Sequence, residues 1–204
     1  MIARLSRNVS SYFIEKNIIA DEDREVYEYS FEVLFSTAFS ILMVAMIAVL
    51  TGNIVYTILY LTGFIPLRRV AGGFHAKNHF RCFLTLIVAY GSFLVTITVI
   101  QEDYIPFAII SCLIVSVLLV FRYAPVEDTN KAISAEDKVR LRKISRITIS
   151  LLAGIISVIS IFLPDIRLAF AAAIGIFTVA VSLPANHIKM KQMNRKQYKN
   201  TGKD

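Results

Sequence analysis

Val33-Leu-Phe-Ser-Thr-Ala-Phe-Ser-Ile-Leu-Met-Val-Ala-Met-Ile-Ala-Val-Leu50, then Thr51-Gly52-Asn53, then Ile54-Val-Tyr-Thr-Ile-Leu-Tyr-Leu-Thr-Gly-Phe-Ile-Pro-Leu67 is a run without one charged side chain. A helix needs roughly 17–25 apolar residues to cross a hydrocarbon core about 30 Å thick. The run is close to twice that length, and Gly52-Asn53 is a turn-forming pair in its middle. It therefore reads as two spans, 33–50 and 54–67, joined by a tight turn. The second is short, because its residues rise only about 21 Å in an α-helix. Either the bilayer thins around it or the chain that follows dips into the membrane.

Working outward, four more stretches lack charge: Phe83 to Gln101, Tyr104 to Phe121, Ile147 to Pro164 and Leu168 to Asn186. The expected spans are then six: 33–50, 54–67, 83–101, 104–121, 147–164 and 168–186. Composition agrees. Over 204 residues, 56% are hydrophobic and 18% charged, with a mean hydropathy of +0.62. A soluble domain carries about 45–50% apolar and 25% charged residues. The fold class is all-α, a polytopic membrane protein of about six transmembrane helices plus an N-terminal amphipathic interfacial helix. Residues 1–204 read as a single integral-membrane domain, with an interfacial helix and lead-in over 1–30, a transmembrane core over 31–186 and a basic tail over 187–204.

Charge orients the bundle. With six spans, both termini and two connecting loops share one side, and that side holds 21 of the 22 Lys and Arg residues, leaving only Arg167 opposite. The positive-inside rule makes it the cytoplasmic side of the bacterial plasma membrane. Twelve of the 15 acidic residues lie there too, for a net charge of +9. Such a face attracts anionic lipid or an acidic peptide. Nucleic acid is not an expected partner, because the loops are short and close to lipid.

Before the first span, Ile2, Leu5, Val9 and Phe13 recur at near-helical spacing, which suits a helix lying in the membrane interface. Asp21, Glu22 and Asp23 supply acids for the start of the next helix. Ala124-Pro125 should end the fourth span. Ser134-Ala-Glu-Asp137 resembles a helix start signal, with Asp in place of the usual Glu or Gln. From Lys189 the chain reads as a mobile basic tail. Two cysteines, one at the membrane edge and one in mid-span, do not make a disulfide framework.

Chemistry concentrates in Arg68-Arg-Val-Ala-Gly-Gly-Phe-His75-Ala-Lys-Asn-His79-Phe-Arg-Cys82, which holds two of three histidines and one of two cysteines. Ionisable groups at membrane depth point to function. A Cys82–His75 dyad is one reading, and it requires the segment to bend. Seven residues of straight helix would part the two by about 10.5 Å, whereas a base must approach its thiol to about 3 Å. Gly72-Gly73 and Lys77-Asn78 give room for the bend. If Asn78 caps the third span, helix amides, Arg81 and protonated His75 would all favour the thiolate. The competing reading keeps the helix: His75, His79 and Cys82 at i, i+4 and i+7 would share a face and could bind zinc. A third reading is a non-enzymatic transporter or scaffold. Cys112, within Ile-Ile-Ser-Cys-Leu-Ile-Val, is the ordinary buried thiol. His187, at the head of the basic tail, reads as a lipid-surface residue. Spacing alone does not choose between dyad and metal.

Arg68-x4-Gly73-x-His75-x6-Cys82, placed after two short spans, resembles the accessory gene regulator B family of quorum-sensing peptide processors. Tyr123-Ala-Pro-Val-Glu-Asp-Thr-Asn-Lys131 resembles that family's second recurrent segment, with Ala132 where a proline is expected. The resemblance implies a membrane cysteine endopeptidase acting on a small amphipathic pro-peptide with an acidic C-terminal tail. It implies Cys82 as nucleophile, His75 as general base and then acid, and Arg68 and Gly73 as supporting residues. It further implies a thioester acyl-enzyme, a thiolactone or lactone product, no metal or other cofactor, and a homodimer. Asn78, Ser111 and Asp128 stay open as a third member of the site.

Overall fold

The computed structural model describes residues 2–16, 18–71, 79–126 and 135–201. Its regular elements are all helical: α1 (Ile2–Glu15), α2 (Arg24–Leu50), α3 (Ile54–Ala71), α4 (His79–Val99), α5 (Ile105–Tyr123), α6 (Ala135–Phe162) and α7 (Ile166–Thr201). Short 3-10 turns at Asp21–Asp23 and Glu102–Tyr104 lead into α2 and α5. Among the described residues, five stretches are long and apolar enough to cross a membrane: Asp21–Leu50, Ile54–Ala71, Glu102–Tyr123, Glu136–Phe162 and Ile166–Ala185. Leu84–Val99 is a shorter apolar helix at the place of the third expected span.

Gly52 makes the turn inside the uncharged run. Its φ is +70°, a region open to glycine without steric cost. The Asn53 N–H reaches the Ala48 carbonyl at 3.0 Å and the Gly52 N–H reaches Val49 at 3.2 Å. This is the paired Schellman bonding that satisfies a helix's last carbonyls. The second span is longer than the charge-free run suggests. Helix α3 continues through Arg68 and Arg69 to Ala71, because long basic side chains can bury their stems and carry their charge toward water. At 18 residues, α3 rises about 27 Å and needs far less bilayer thinning. The tail also differs from expectation, since α7 runs on past Pro184 to Thr201 as helix.

Helix α7 is the hub. In its stretch Ile166–Ala185, 61% is buried, against at most 33% in the other four spans. Its most extensive packing is against α3 and α5. The facing stripes are regular: Thr57, Tyr60, Phe64, Leu67 and Ala71 on α3, and Ile105, Ile109, Leu113, Ser116 and Val120 on α5, are all buried. Outward residues such as Leu42, Leu50, Phe107, Ile161 and Phe162 are 66–80% exposed. Apolar surface on that scale would drive association in water, whereas lipid receives it without penalty.

Two glycines set how closely α3 seats on α7. A Cβ on Gly63 would run into the Ala172 carbonyl oxygen, and one on Gly175 into the Tyr60 carbonyl oxygen. The contacts are reciprocal and backbone to backbone, so neither neighbour can yield by turning a side chain. Close approach of this kind is a main source of helix association in membranes, where lipid removes the hydrophobic drive. Beside it, Tyr60 stacks on Phe93 at 4.5 Å and on Phe64 at 5.7 Å. The buried Tyr90 hydroxyl shares a 2.7 Å hydrogen bond with Thr57.

The helices from α3 to α7 alternate in direction, as side-chain contacts at the two ends show. At one end Tyr56 donates to Asp165 at 2.8 Å, and Asp165 accepts the Arg167 amide at 2.9 Å, capping α7. The Arg167 guanidinium donates to the Ile97 carbonyl at 2.8 Å and the Ile100 carbonyl at 3.4 Å, with Glu102 at 3.5 Å. The basic residue that the charge pattern isolates is thus a C-terminal cap for α4. At the N-terminus, α1 packs against α2 through a stacked Phe13–Phe31 pair at 5.6 Å.

Two predictions follow from this packing. Gly63→Ala and Gly175→Ala should each lower the midpoint of thermal unfolding in detergent, with a cost of about 1–3 kcal/mol for overpacking. Gly91→Ala and Gly154→Ala, where an added Cβ meets open space, should be neutral or stabilising by up to about 1 kcal/mol. Equal behaviour of the two pairs would refute the close-approach account. Arg167→Lys should behave like Arg167→Ala, losing about 1.5–3 kcal/mol, because an ammonium lacks the planar fork that spans two carbonyls. Full stability of Arg167→Lys in the same melts would show that the fork is not used.

Candidate active site

The expected cytoplasmic end of the bundle gathers α3, α5, α6 and the chain after α5. Leu67 and Ala71 of α3 are completely buried there. Arg68 lies between them, partly buried, with its guanidinium 5.4 Å from the centre of the Phe64 ring. Of the other expected site residues, Gly73 and His75 lie outside the described residues, as do Asn78 and Asp128. Cys82 lies in α4, the fourth residue of that helix as described, as His79 is its first. Ser111 lies twelve residues before the end of α5, about 18 Å of helix rise, which sets it too deep in the span to orient a group at this end.

Two hydrogen bonds hold the last described residues of α3. The buried Ser145 hydroxyl on α6 lies 2.7 Å from the Val70 carbonyl and 2.7 Å from the Leu141 carbonyl of its own helix. The Val126 amide donates to the Ala71 carbonyl at 3.1 Å. Ala124 and Val126 are themselves nearly inaccessible, which seats the chain after α5 against the end of α3. Helix α5 ends at Tyr123, where Ala124 turns extended before Pro125, as the X-Pro steric restriction requires. This end also holds Arg146, which donates to the Phe121 carbonyl at 3.2 Å and lies 5.1 Å from the Phe121 ring. His187 is exposed, with its ring 5.6 Å from Tyr123.

The Val126–Ala71 bond joins two sequence-distant segments. Val126 belongs to the stretch Tyr123–Lys131, and Ala71 lies between Arg68 and Gly73. Sequence reasoning missed both Val126 and Ser145 as contacts of this region. A serine amid the basic residues of α6 looks like any solvent-facing residue, and no local pattern names its partner on α3. Among the described residues, no group of three His, Cys, Asp or Glu could hold a metal ion. Cys112, a free thiol, is partly buried in the middle of α5 and packs against the core.

An all-helical bundle with several helices long and apolar enough to cross a membrane defines a class of multi-pass integral-membrane protein. The chain belongs to the AgrB family: the family model for accessory gene regulator B matches residues 6–183, taking in both segments just described. That family is one of quorum-sensing peptide processing. The chain is 33% identical to the protein FsrB of Enterococcus faecalis (strain ATCC 47077 / OG1RF) over 127 residues, covering 61% of this chain and 52% of FsrB. It is 28% identical over 168 residues to a protein of Clostridium perfringens (strain SM101 / Type A) described as AgrB-like, covering 80% of this chain and 78% of that one. The match thus spans about half the length of FsrB. No solved structure matches significantly.

The two cysteines should separate in reactivity. In membrane vesicles a water-soluble thiol reagent should modify Cys82 at least about 10-fold faster than Cys112, since reactivity tracks thiolate character and exposure. Peptide mapping of the labelled protein measures the ratio. Faster modification of Cys112 would contradict the expectation that Cys82 is the reactive thiol.

Proposed function

We propose that this protein is a membrane cysteine endopeptidase that removes the C-terminal segment of a small pro-peptide and cyclises what remains into a thiolactone or lactone autoinducing peptide. One observation carries the reading. The family match spans Arg68-x4-Gly73-x-His75-x6-Cys82 together with Tyr123–Lys131, and the Val126–Ala71 bond links a described residue of each segment.

In the proposed mechanism, His75 takes the proton of the Cys82 thiol, and the thiolate attacks the scissile carbonyl carbon. The tetrahedral adduct collapses, the peptide C–N bond breaks, and the protonated imidazole gives its proton to the leaving amine. The acidic C-terminal fragment departs, while the rest of the peptide stays on Cys82 as a thioester. An internal thiol or hydroxyl then passes its proton to His75 and attacks the thioester carbonyl. The ring closes and the Cys82 thiolate is released. This order needs water kept away from the thioester for as long as ring closure takes, and a site at the membrane edge suits that demand.

Substrate features match the chain's charge. The basic side, with Arg68 at the end of α3, would hold the acidic tail through charge-assisted hydrogen bonds. An amphipathic leader would partition into the interface beside the enzyme. Both termini and the site face the cytoplasm in this reading, and the working unit is a homodimer in contact with membrane lipid.

Cys82→Ser and His75→Ala should abolish release of the C-terminal fragment, with loss of at least about 1,000-fold in rate for a dyad acting as a unit, while both variants still reach the membrane. His79→Ala should keep activity within a few fold. The measurement is mass-spectrometric detection of both pro-peptide fragments in membranes expressing each variant. Inactive His79→Ala with stoichiometric zinc in purified protein would replace the dyad with a metal site. An active Cys82→Ser would remove the endopeptidase reading altogether.

A further inference from the structure

Two contacts at the expected cytoplasmic end converge on one stretch of backbone. Val70 and Ala71 are consecutive residues at the described end of α3, five and four positions before His75 in the chain. Their carbonyls accept from two elements far away in sequence: Val70 from the Ser145 hydroxyl on α6, and Ala71 from the Val126 amide after α5. Ser145 is completely buried, so no solvent molecule can take over its bond without local opening. The stripe Ser145, Ile149 and Ile156 forms the buried side of α6, and α6 packs on α3. Ser145 stands at the end of that stripe nearest the basic residues.

Serine at this point is chemically odd. Its hydroxyl has one proton and two carbonyl oxygens at 2.7 Å, Val70 on α3 and Leu141 on its own helix. A serine needed only for its own helix would be served by the Leu141 bond, which is local and adds little. The Val70 bond is the one that reaches another element.

We propose that Ser145 is a positioning residue of the peptidase site, holding with Val126 the end of α3 from which the chain continues to His75. It touches neither substrate nor reacting atoms; it acts through Val70. The proposal rests on the Cys82–His75 reading above and extends it to a residue 63 positions after Cys82. A base displaced by an ångström loses catalytic efficiency steeply, so a backbone anchor five residues before His75 in the chain is a control point for rate. Substrate affinity, which the basic surface supplies, is left untouched.

The test uses the full-length protein in membranes, with a Cys112→Ser background so that alkylation reports Cys82 alone. Ser145→Ala should lower kcat for fragment release by about 10- to 100-fold, with KM within about 2-fold, as expected of mispositioning. The pH profile of Cys82 alkylation should move to higher pH, because a thiol that loses an imidazole partner ionises later. Ser145→Thr, which keeps the hydroxyl, should restore part of both. Unchanged kcat and alkylation profile in Ser145→Ala would overturn the positioning role. So would failure of both Ser145→Ala and the near-isosteric Ser145→Cys to accumulate in the membrane, since that result makes Ser145 a folding residue. If Cys82→Ser proves active in the same assay, the underlying peptidase reading fails instead, and the two failures are distinguishable.

Discussion

The seating of α3 on α7 is the contact on which the rest of the bundle depends. Lipid offers apolar side chains as good a home as any neighbouring helix does, so burial alone does not hold a membrane bundle together. What α3 gains from α7 is backbone proximity, made possible because Gly63 and Gly175 each leave room for the other helix's carbonyl. The aromatic group of Tyr60, Phe64, Tyr90 and Phe93 fills the space alongside. That seating sets the height of α3 against α7. Height matters because α3 carries Arg68 and precedes the segment with His75 in the chain.

Polar contacts then secure the two ends of the bundle in different ways. Around Asp165 and Arg167, charged side chains reach across to carbonyls and a tyrosine hydroxyl, and these groups are partly exposed. Around Val70 and Ala71 the partners are a buried serine hydroxyl and a backbone amide. Uncharged, buried bonds would suit the thioester of the proposed mechanism, because they add no water-attracting charge to this end of the bundle. The basic side chains nearby, such as Arg146 over Phe121, bury their stems and keep their charge at the surface. An enzyme of the proposed kind needs both a dry centre and a cationic approach.

Much of this architecture is legible in the linear chain. Charge-free runs specify the apolar helices, since a charge at membrane depth is costly and a spanning backbone must be helical to satisfy its own amides. Gly52-Asn53 marks the turn between α2 and α3, and Ala124-Pro125 marks the end of α5, because both depend on backbone sterics within a few residues. The extent of α3 past Leu67 and of α7 past Lys189 is not legible in that way. Charge stops a hydrophobic run, but it does not stop a helix of Arg, Lys and Gln, which are good helix formers.

For the candidate site, His75, His79 and Cys82 stand out by residue type and spacing, since reactive groups are rare in so apolar a chain, while the family resemblance is what favours His75 with Cys82 and adds Arg68 and Gly73. Residue type and local period are properties of neighbours in the chain, and these the amino-acid sequence determined by itself. Which side chains meet across helices was decided only by the tertiary structure: Ser145 with Val70, Val126 with Ala71, Arg167 with the end of α4, Gly63 with Ala172. The physical reason is that a helix presents every residue type around its circumference. Which of them faces a neighbour depends on the rotation and height of both helices, and those are fixed by the packing of the whole bundle.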